Sequence, residues 1–218
     1  MTAGPPDTRE AAAELVLEVL AGAHPTGEVC LIGSLARPGE ADELSDIDVR
    51  WTLPPGQASG PLQSLRSTLR QVGRVESLRL DPEERPGFLL LFVRFAGWPL
   101  WWRVDLEVHS TELSPADLPD ADSWSPQESA CMGVVVTLKA LARQRPEEAE
   151  ALFARALRRV GATDVVGDWP QRIDALLDRL VILGSPGADL VARTRRLSRD
   201  VLGRRRRSGR VGSAPPHE

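Results

Sequence analysis

The sequence predicts an α+β protein in which a mixed sheet of about five strands with flanking helices precedes a C-terminal helical bundle. Up to about residue 112, short apolar and β-branched runs alternate with segments of helical spacing. A connector rich in Pro and Asp follows, and beyond it apolar residues recur at helical spacing only. We therefore expect one domain at 1–113, a helical domain at 124–203 and a disordered tail of Arg, Gly and Pro at 204–218.

The first half is predicted to alternate helices and strands. Asp7 is expected to cap an amphipathic helix that ends where His24 and Pro25 interrupt the pattern. The other predicted elements are strands at 28–32, 47–53 and 74–80, a helix at 61–72, and an antiparallel hairpin of 88–95 with 100–108.

Four helices are predicted in the second half. Pro126, Pro146 and Pro186 help to locate helix starts, because a proline in the first turn lacks only an N–H that would have no partner there. The predicted ranges are 126–143, 146–160, 169–183 and 186–202.

Composition excludes several classes of protein. No apolar run reaches the roughly 20 residues that a membrane helix needs, and the N-terminus is polar, so we expect a cytoplasmic protein without a membrane partner. Cys30 and Cys131 lie far from each other and from the three histidines in sequence. This spacing favours neither a disulfide framework nor a Cys/His zinc site.

Charge is distributed unevenly along the chain. From Arg193 onward nine arginines stand against Asp200 and Glu218, a local charge of +7, which leaves 18 basic against 29 acidic residues, or −11, in the preceding part. The acidic body disfavours nucleic acid as a partner of the main fold, whereas the Arg-rich end could contact phosphate or an acidic partner such as a protein.

The functional signal is concentrated in residues 31–51. A predicted strand leads into Gly33 and Ser34, an irregular segment follows, and Asp46 and Asp48 open the next strand. Because residues i and i+2 of an extended chain point to the same face, the two carboxylates project together and repel each other. Mg²⁺ relieves such repulsion, since it accepts one or two carboxylates and leaves its other positions to water and phosphates. The pair therefore predicts a phosphate-bearing ligand.

A third carboxylate and a glycine complete the predicted site. Asp105 lies in a later strand whose acids point to the open face, and three such acids can hold two ions about 4 Å apart. Gly33 allows the backbone to approach phosphates closely. Ser34 offers a hydroxyl and an N–H at an expected strand-to-helix junction, where anions are favoured. We expect Gly33 and Ser34 to bind the β- and γ-phosphates.

Together these residues resemble a known superfamily. Gly33-Ser34, eleven further residues, Asp46-Ile47-Asp48 and a later strand acid are similar to the pattern of polymerase-beta-like nucleotidyltransferases. The stretch GSLARPGEADELSDID closely resembles small antibiotic nucleotidyltransferases of the aminoglycoside and lincosamide type. The resemblance covers roughly residues 28–108 and implies the nucleotidyltransferase fold for that part of the chain.

The resemblance implies an enzyme. Such an enzyme transfers a nucleoside monophosphate from an NTP, here expected to be ATP, to a hydroxyl of a small-molecule acceptor and releases pyrophosphate. By this similarity Asp46 and Asp48 would hold two Mg²⁺ ions and Asp105 would bind the catalytic one. The residues expected to bind the nucleotide are Gly33, Ser34, Arg37 and Ser45.

Some assignments remain open at the level of sequence. Glu107 lies on the same strand face as Asp105 and is a candidate general base, but Asp105 itself or Glu128 could also take the acceptor proton. An antitoxin-like or regulatory nucleotidyltransferase that modifies or binds a partner protein is an alternative function. A catalytically inactive member that only binds its ligand is another.

Overall fold

The computed structural model describes residues 5–83, 85–163, 165–184 and 187–210. The chain divides into two compact units, one within Met1–Trp124 and the other within Ser125–Glu218. Each unit is described by itself below.

The first unit contains a five-stranded mixed sheet and three helices, which confirms the predicted α+β class. Most predicted strands agree with the observed ones to within one or two residues at their starts. The elements are α1 (Arg9–Ala23), β1 (Glu28–Leu31), β2 (Ile47–Thr52), α2 (Ser59–Gln63), α3 (Leu65–Leu69), β3 (Val75–Leu80), β4 (Phe88–Phe95) and β5 (Val104–His109), followed by a 3₁₀ turn at Pro115–Asp117.

The strands are arranged in the order β1-β2-β5-β4-β3. The pairing of β2 with β5 is parallel and the other three pairings are antiparallel, so the predicted hairpin of β4 and β5 is confirmed. The parallel pair joins two strands that are distant in sequence at the centre of the sheet. Its register sets Asp48 beside Asp105.

The core of this unit lies on one face of the sheet. Alternate residues of the central strands, such as Val49, Trp51 and Leu106, are fully buried on this face. They pack with the apolar residues of α1, including Val16 and Leu20, and with those of the two short helices. Because side chains alternate across a strand, the intervening polar residues of β2 and β5 lie on the opposite face.

Two details of the helices differ from the sequence prediction. Helix α1 is capped by Thr8, whose hydroxyl accepts from the Ala11 N–H, so the predicted cap at Asp7 was wrong by one residue. The predicted helix at 61–72 is two short helices separated at Ser64. The hydroxyl of Ser64 donates to backbone carbonyls of the preceding turn, and such side-chain bonds compete with helix continuation.

Strand β5 begins later than predicted. Residues from Pro99 to Trp102 form a turn closed by a bond from the Trp102 N–H to the Pro99 carbonyl, so the strand starts at Val104 rather than at residue 100. Arg103 therefore lies at the entry to β5, and its carbonyl accepts from the Ile47 N–H at 3.0 Å.

Within its described residues, the second unit contains four helices: α4 (Pro126–Ala142), α5 (Pro146–Arg159), α6 (Trp169–Ile182) and α7 (Ala188–Arg210). Pro126 and Pro146 stand in the first turns of α4 and α5 as predicted, whereas Pro186 lies outside the described residues. Helix α7 continues to Arg210, past the expected end at residue 202, because arginine is a good helix former. The rest of the predicted tail, 211–218, lies outside the described residues.

Helix α4 is the central element of the second unit and contacts α5, α6 and α7. Its contact with α5 is close at Gly133, where an added Cβ atom would lie 2.7 Å from the Cβ of Ala156. Across the parts of the chain that the structure describes, no helix is long and apolar enough to cross a membrane.

Gly133→Ala is expected to lower the free energy of unfolding by about 1–3 kcal/mol, because the new methyl group overpacks the contact between α4 and α5. Gly22→Ala is the matched control, since Gly22 lies in α1 with no heavy atom within 4 Å of an added Cβ. This control is expected to stabilise α1 by up to about 1 kcal/mol. Denaturant unfolding followed by circular dichroism measures both. Equal stability of the two variants would contradict the close packing at Gly133.

Candidate active site

The face of the sheet opposite the core carries a cluster of charged side chains. Asp48 and Arg50 alternate along β2, and Asp105 and Glu107 alternate along β5. The parallel register sets Asp48 beside Asp105 and Arg50 beside Glu107. All four residues are half-buried, so their charges interact in a medium less polar than bulk water.

The carboxylate of Asp48 is the most perturbed acid of this face. Its pKa is raised from 3.8 to about 6, chiefly by burial and further by repulsion from Asp105 and Glu107, while the positive charge of Arg103 partly offsets the increase. A carboxyl with a raised pKa gains from a cation that approaches it. A positive charge would therefore stabilise ionised Asp48 more than any other acid of this face.

Gly33 packs directly against Asp48. It has a φ of +64°, and an added Cβ atom would lie 2.3 Å from the Asp48 Oδ2 atom. The Ile32 N–H donates to the Asp48 carbonyl at 2.9 Å, which fastens the end of β1 to β2 at this level. Only glycine combines this left-handed conformation with the lack of a side chain, so the backbone turn lies against the carboxylate.

The segment after Gly33 is a series of turns rather than a helix, which corrects the expected strand-to-helix junction at Ser34. The Ser34 carbonyl accepts from the Arg37 N–H at 3.2 Å and closes the first turn. An anion at Ser34 would therefore gain no stabilisation from a helix dipole. Arg37 is exposed and its guanidinium forms an ion pair with Glu40 at 2.6 Å.

A second turn, at residues 42–45, leads into Asp46. The Ser45 hydroxyl donates to the Asp42 carboxylate at 3.0 Å and accepts from the Asp42 N–H at 3.1 Å. Arg9 reaches this turn from the first turn of α1, and its guanidinium donates to the carbonyls of Asp42 and Ser45. The Ser45 hydroxyl is thus engaged in shaping the approach to Asp46, and Arg9 fastens that approach to the first helix.

Arg103 links the acids of the two strands. Its Nε and one terminal nitrogen donate to the two carboxylate oxygens of Asp105 at 2.5 and 2.6 Å, and the same terminal nitrogen lies 3.7 Å from Asp46. The guanidinium carbon stands 4.6 Å from the centre of the Phe92 ring. Burial alone would lower the pKa of Arg103, but attraction to Asp105 and Asp48 outweighs burial and raises this pKa above its ordinary value.

Glu107 belongs to a separate ion pair one step along the strand. Its carboxylate accepts from the Nε of Arg50 at 3.1 Å and from a terminal nitrogen at 2.8 Å, and it lies 3.2 Å from the His109 ring. Burial raises the pKa of Glu107, but the hydrogen bonds from Arg50 and His109 outweigh burial and bring this pKa below its ordinary value. Such a carboxylate stays ionised and is a weaker base.

The residues predicted to bind metal are only partly brought together. Asp48 and Asp105 are direct neighbours in register, whereas Arg103 bridges Asp105 and Asp46. Within the described ranges, no three acidic, His or Cys side chains converge in a group that could hold a metal ion. The donor chemistry nevertheless fits a hard cation, because Mg²⁺ is commonly bound by one or two carboxylates together with water and phosphate oxygens.

Three arginines that contact the acids or turns of this region, Arg9, Arg50 and Arg103, were not singled out in the sequence analysis. Arg50 and Arg103 each stand two positions from an acid in a strand, so the alternation that predicts Asp48 and Asp105 on one face also predicts these arginines there. Arg9 had no comparable signal, because its contact with Asp42 joins residues that are 33 positions apart in sequence.

Comparison with known proteins gives distant structural similarities. No protein-family model matches this sequence, and a search of curated proteins gives no match. The chain is similar to a chain of the solved GLD-2/RNP-8 complex at 15% identity and a TM-score of 0.36, covering 80% of this chain and 43% of that one. It is also similar to a structure of Cid1, described with RNA terminal uridylyl transferase activity, at 13% identity and a TM-score of 0.30. That match covers 66% of this chain and 37% of the Cid1 chain. The chain thus spans less than half the length of either relative.

Asp48→Asn is expected to stabilise the metal-free protein at neutral pH. The folded-state pKa of Asp48 is above its unfolded value, so its contribution to stability is complete below about pH 4 and is lost as pH rises through about 6. The loss is about 1 kcal/mol once solvent screening of a half-buried group is allowed for. Thermal unfolding in a chelator should therefore show a larger gain for the variant at pH 7.5 than at pH 4.5.

The control is Asp7→Asn, which removes a carboxylate at an exposed position before α1. Its melting temperature should differ from that of the unmodified protein by the same small amount at both pH values. A pH-independent effect of Asp48→Asn would contradict the raised pKa of Asp48.

Proposed function

We propose that the chain is a nucleotidyltransferase that depends on a divalent metal and transfers a nucleoside monophosphate, AMP when ATP is the donor, to a hydroxyl of a small molecule. The observation that supports it is the contact of three features at one place: Asp48 beside Asp105 in the parallel pair, and the Gly33 turn against the Asp48 carboxylate. Acids that can hold a cation thus adjoin a backbone turn that can approach phosphates.

The proposed reaction replaces one phosphorus–oxygen bond by another. The acceptor oxygen forms a bond to the α-phosphorus of the NTP, and the bond from that phosphorus to the oxygen bridging to the β-phosphate breaks. Pyrophosphate leaves with the electron pair of that bond, and the acceptor proton passes to a base. The chain has to hold the phosphates, orient the acceptor and receive the proton.

Asp48 and Asp105 are the proposed metal ligands, with Asp46 as a third carboxylate beside Arg103. When bound, Mg²⁺ neutralises phosphate charge and polarises the reacting phosphoryl group, and a second ion could stabilise the leaving oxygen. The raised pKa of Asp48 supports the assignment, since burial and repulsion from neighbouring acids both disfavour an uncompensated negative charge and make a bound cation favourable there.

The nucleotide-binding residues are proposed on the two turns that precede β2. The Gly33 turn would present its backbone N–H groups and the Ser34 hydroxyl to the β- and γ-phosphates. Arg37 is exposed and could exchange Glu40 for phosphate, because exposed ion pairs contribute little free energy. Ser45 would act at the same site by holding the turn that leads to Asp46.

The proton acceptor is proposed among the acids of β5. Glu107 is in place on the strand that carries Asp105, but its lowered pKa makes it a weaker base than an ordinary glutamate. Asp105, whose carboxylate is directly beside Asp48, is the second candidate. The small-molecule acceptor is supported by the resemblance of residues 33–48 to antibiotic nucleotidyltransferases.

Asp48→Asn and Asp105→Asn are each expected to reduce nucleotidyl transfer by about a thousandfold or more, because each removes one negative metal ligand and about 4 kcal/mol of transition-state stabilisation. The measurement is pyrophosphate release from ATP, GTP, CTP or UTP with Mg²⁺ and a panel of hydroxylated acceptors that includes aminoglycosides and lincosamides.

Asp7→Asn serves as the control, since Asp7 is exposed and precedes α1. It should retain full activity. Undiminished transfer by either β-strand variant would refute the assignment of the carboxylates. If the unmodified protein binds NTP but releases no pyrophosphate with any acceptor, transfer to a small molecule is refuted and a binding function takes its place.

Gly33→Ala is expected to weaken binding of a nonhydrolysable ATP analogue by about tenfold or more, because the methyl group would displace the Asp48 carboxylate and push the turn away from the phosphates. Gly39→Ala is the matched control. Gly39 also has a positive φ, of +81°, but an added Cβ atom there meets no heavy atom within 4 Å. Isothermal titration calorimetry of both variants separates backbone strain from the contact, and equal affinities would speak against a nucleotide site at Gly33.

A further inference from the structure

Arg103 contacts the carboxylate cluster, by which we mean Asp46, Asp48 and Asp105. Its planar guanidinium engages both oxygens of Asp105, in the bidentate geometry that gives the strongest arginine–carboxylate pairs. The Arg103 side chain is only 16% exposed, and Asp105 is 18% exposed. Solvent therefore screens this pair far less than it screens a surface ion pair.

Several contacts hold Arg103 in this position. Its carbonyl accepts from the Ile47 N–H, which ties the entry of β5 to the start of β2. The Phe92 ring lies 4.6 Å from the guanidinium carbon and gives a cation–π contact on a neighbouring strand. Movement of the guanidinium away from Asp105 would lose the contact with Phe92 and leave the Asp105 carboxylate without this partner, so the pair resists disruption.

The charges of the cluster limit how much metal it can accept. Asp46, Asp48 and Asp105 carry three negative charges and Arg103 carries one positive charge, which leaves a net charge of minus two. One divalent cation neutralises this sum, and a second would make the cluster positive. A metal bound to Asp105 would also be repelled by the guanidinium beside it. The guanidinium does not repel a metal–NTP complex in this way, because the phosphates make the complex negative overall.

We propose that the Arg103 guanidinium competes with a divalent metal ion for the Asp105 carboxylate. Tight binding of the metal then requires the phosphates of the nucleotide. Arg103 is a positioning residue in this scheme, since it acts through Asp105. The inference rests on the proposed function of this site.

The test is a titration of the full chain with Mn²⁺, which favours the same oxygen ligands as Mg²⁺ and can be followed by electron paramagnetic resonance. Without nucleotide, Arg103→Gln is expected to bind Mn²⁺ about tenfold more tightly than the unmodified protein, because the opposing positive charge is removed. Arg103→Lys keeps the charge but cannot engage both oxygens of Asp105, and should bind about threefold more tightly.

Arg50→Gln is the matched control. It removes an arginine from the same face of the sheet, but one that is paired with Glu107 rather than with Asp105 and is 43% exposed. Its Mn²⁺ affinity should stay within about twofold of the unmodified protein, because the Arg50 charge is paired with Glu107 and, being more exposed than that of Arg103, is better screened. If Arg50→Gln and Arg103→Gln bind Mn²⁺ equally tightly, the specific role of Arg103 is refuted.

A second measurement supplies Mn²⁺ as its complex with a nonhydrolysable ATP analogue. Here the advantage of Arg103→Gln should disappear or reverse, because the positive charge of Arg103 no longer opposes the entry of a negative complex. An advantage that persists in the presence of the analogue would overturn the proposed dependence on phosphates. If Arg103→Gln fails to fold, the comparison of Arg103→Lys with the unmodified protein decides, and equal Mn²⁺ affinity of these two overturns the competition.

These results are distinguishable from failure of the proposed function. If the unmodified protein binds neither Mn²⁺ nor its nucleotide complex, the metal-dependent transferase is refuted, and the Arg103 inference fails with it. If the unmodified protein binds the complex and releases pyrophosphate while both Arg103 variants bind free Mn²⁺ with unchanged affinity, the transferase stands and only the role of Arg103 is refuted.

Discussion

The repulsion between Asp48 and Asp105 is the constraint on which the rest of the site depends. The two acids come from strands that are far apart in sequence, and the parallel pairing of β2 with β5 sets them at the same level. The apolar residues between them turn into the core, so the register cannot slip without burying charges. The hydrophobic face of the sheet therefore holds the two carboxylates together against their repulsion.

Two arginines partly neutralise the negative charge of this face. Arg103 pairs with Asp105 and Arg50 pairs with Glu107, so acids and bases alternate over the half-buried face. Asp48 has no such pair among the described residues, and burial together with repulsion from Asp105 and Glu107 raises its pKa to about 6. A cation would therefore be most favourable at Asp48, the carboxylate against which the Gly33 turn packs.

Much of this structure follows from local patterns in the sequence. Apolar and β-branched runs, with alternation at 74–80, predict five strands, and the period of two within a strand predicts the open face that carries Asp48 and Asp105. The split of the 61–72 helix at Ser64 is harder to predict, since it depends on side-chain bonds to particular carbonyls. Pairing across long separations, such as Arg9 with Asp42, leaves no trace in local periodicity. The alternation of strand residues therefore makes the acids predictable, together with Arg50 and Arg103 on the same face, whereas the contact of Arg9 is not predictable.

The close approach of Gly33 to Asp48 has a consequence for how this surface could be altered. The Asp48 carboxylate fills the volume that a side chain at position 33 would need, so the two positions form one steric unit although they belong to different segments. A larger residue at position 33 would require the Asp48 carboxylate to move or a shorter residue to replace it, and the second change would remove the acid. Redesign of the Gly33 turn is thereby coupled to the acidic pair, because a change at one position alters the space available to the other.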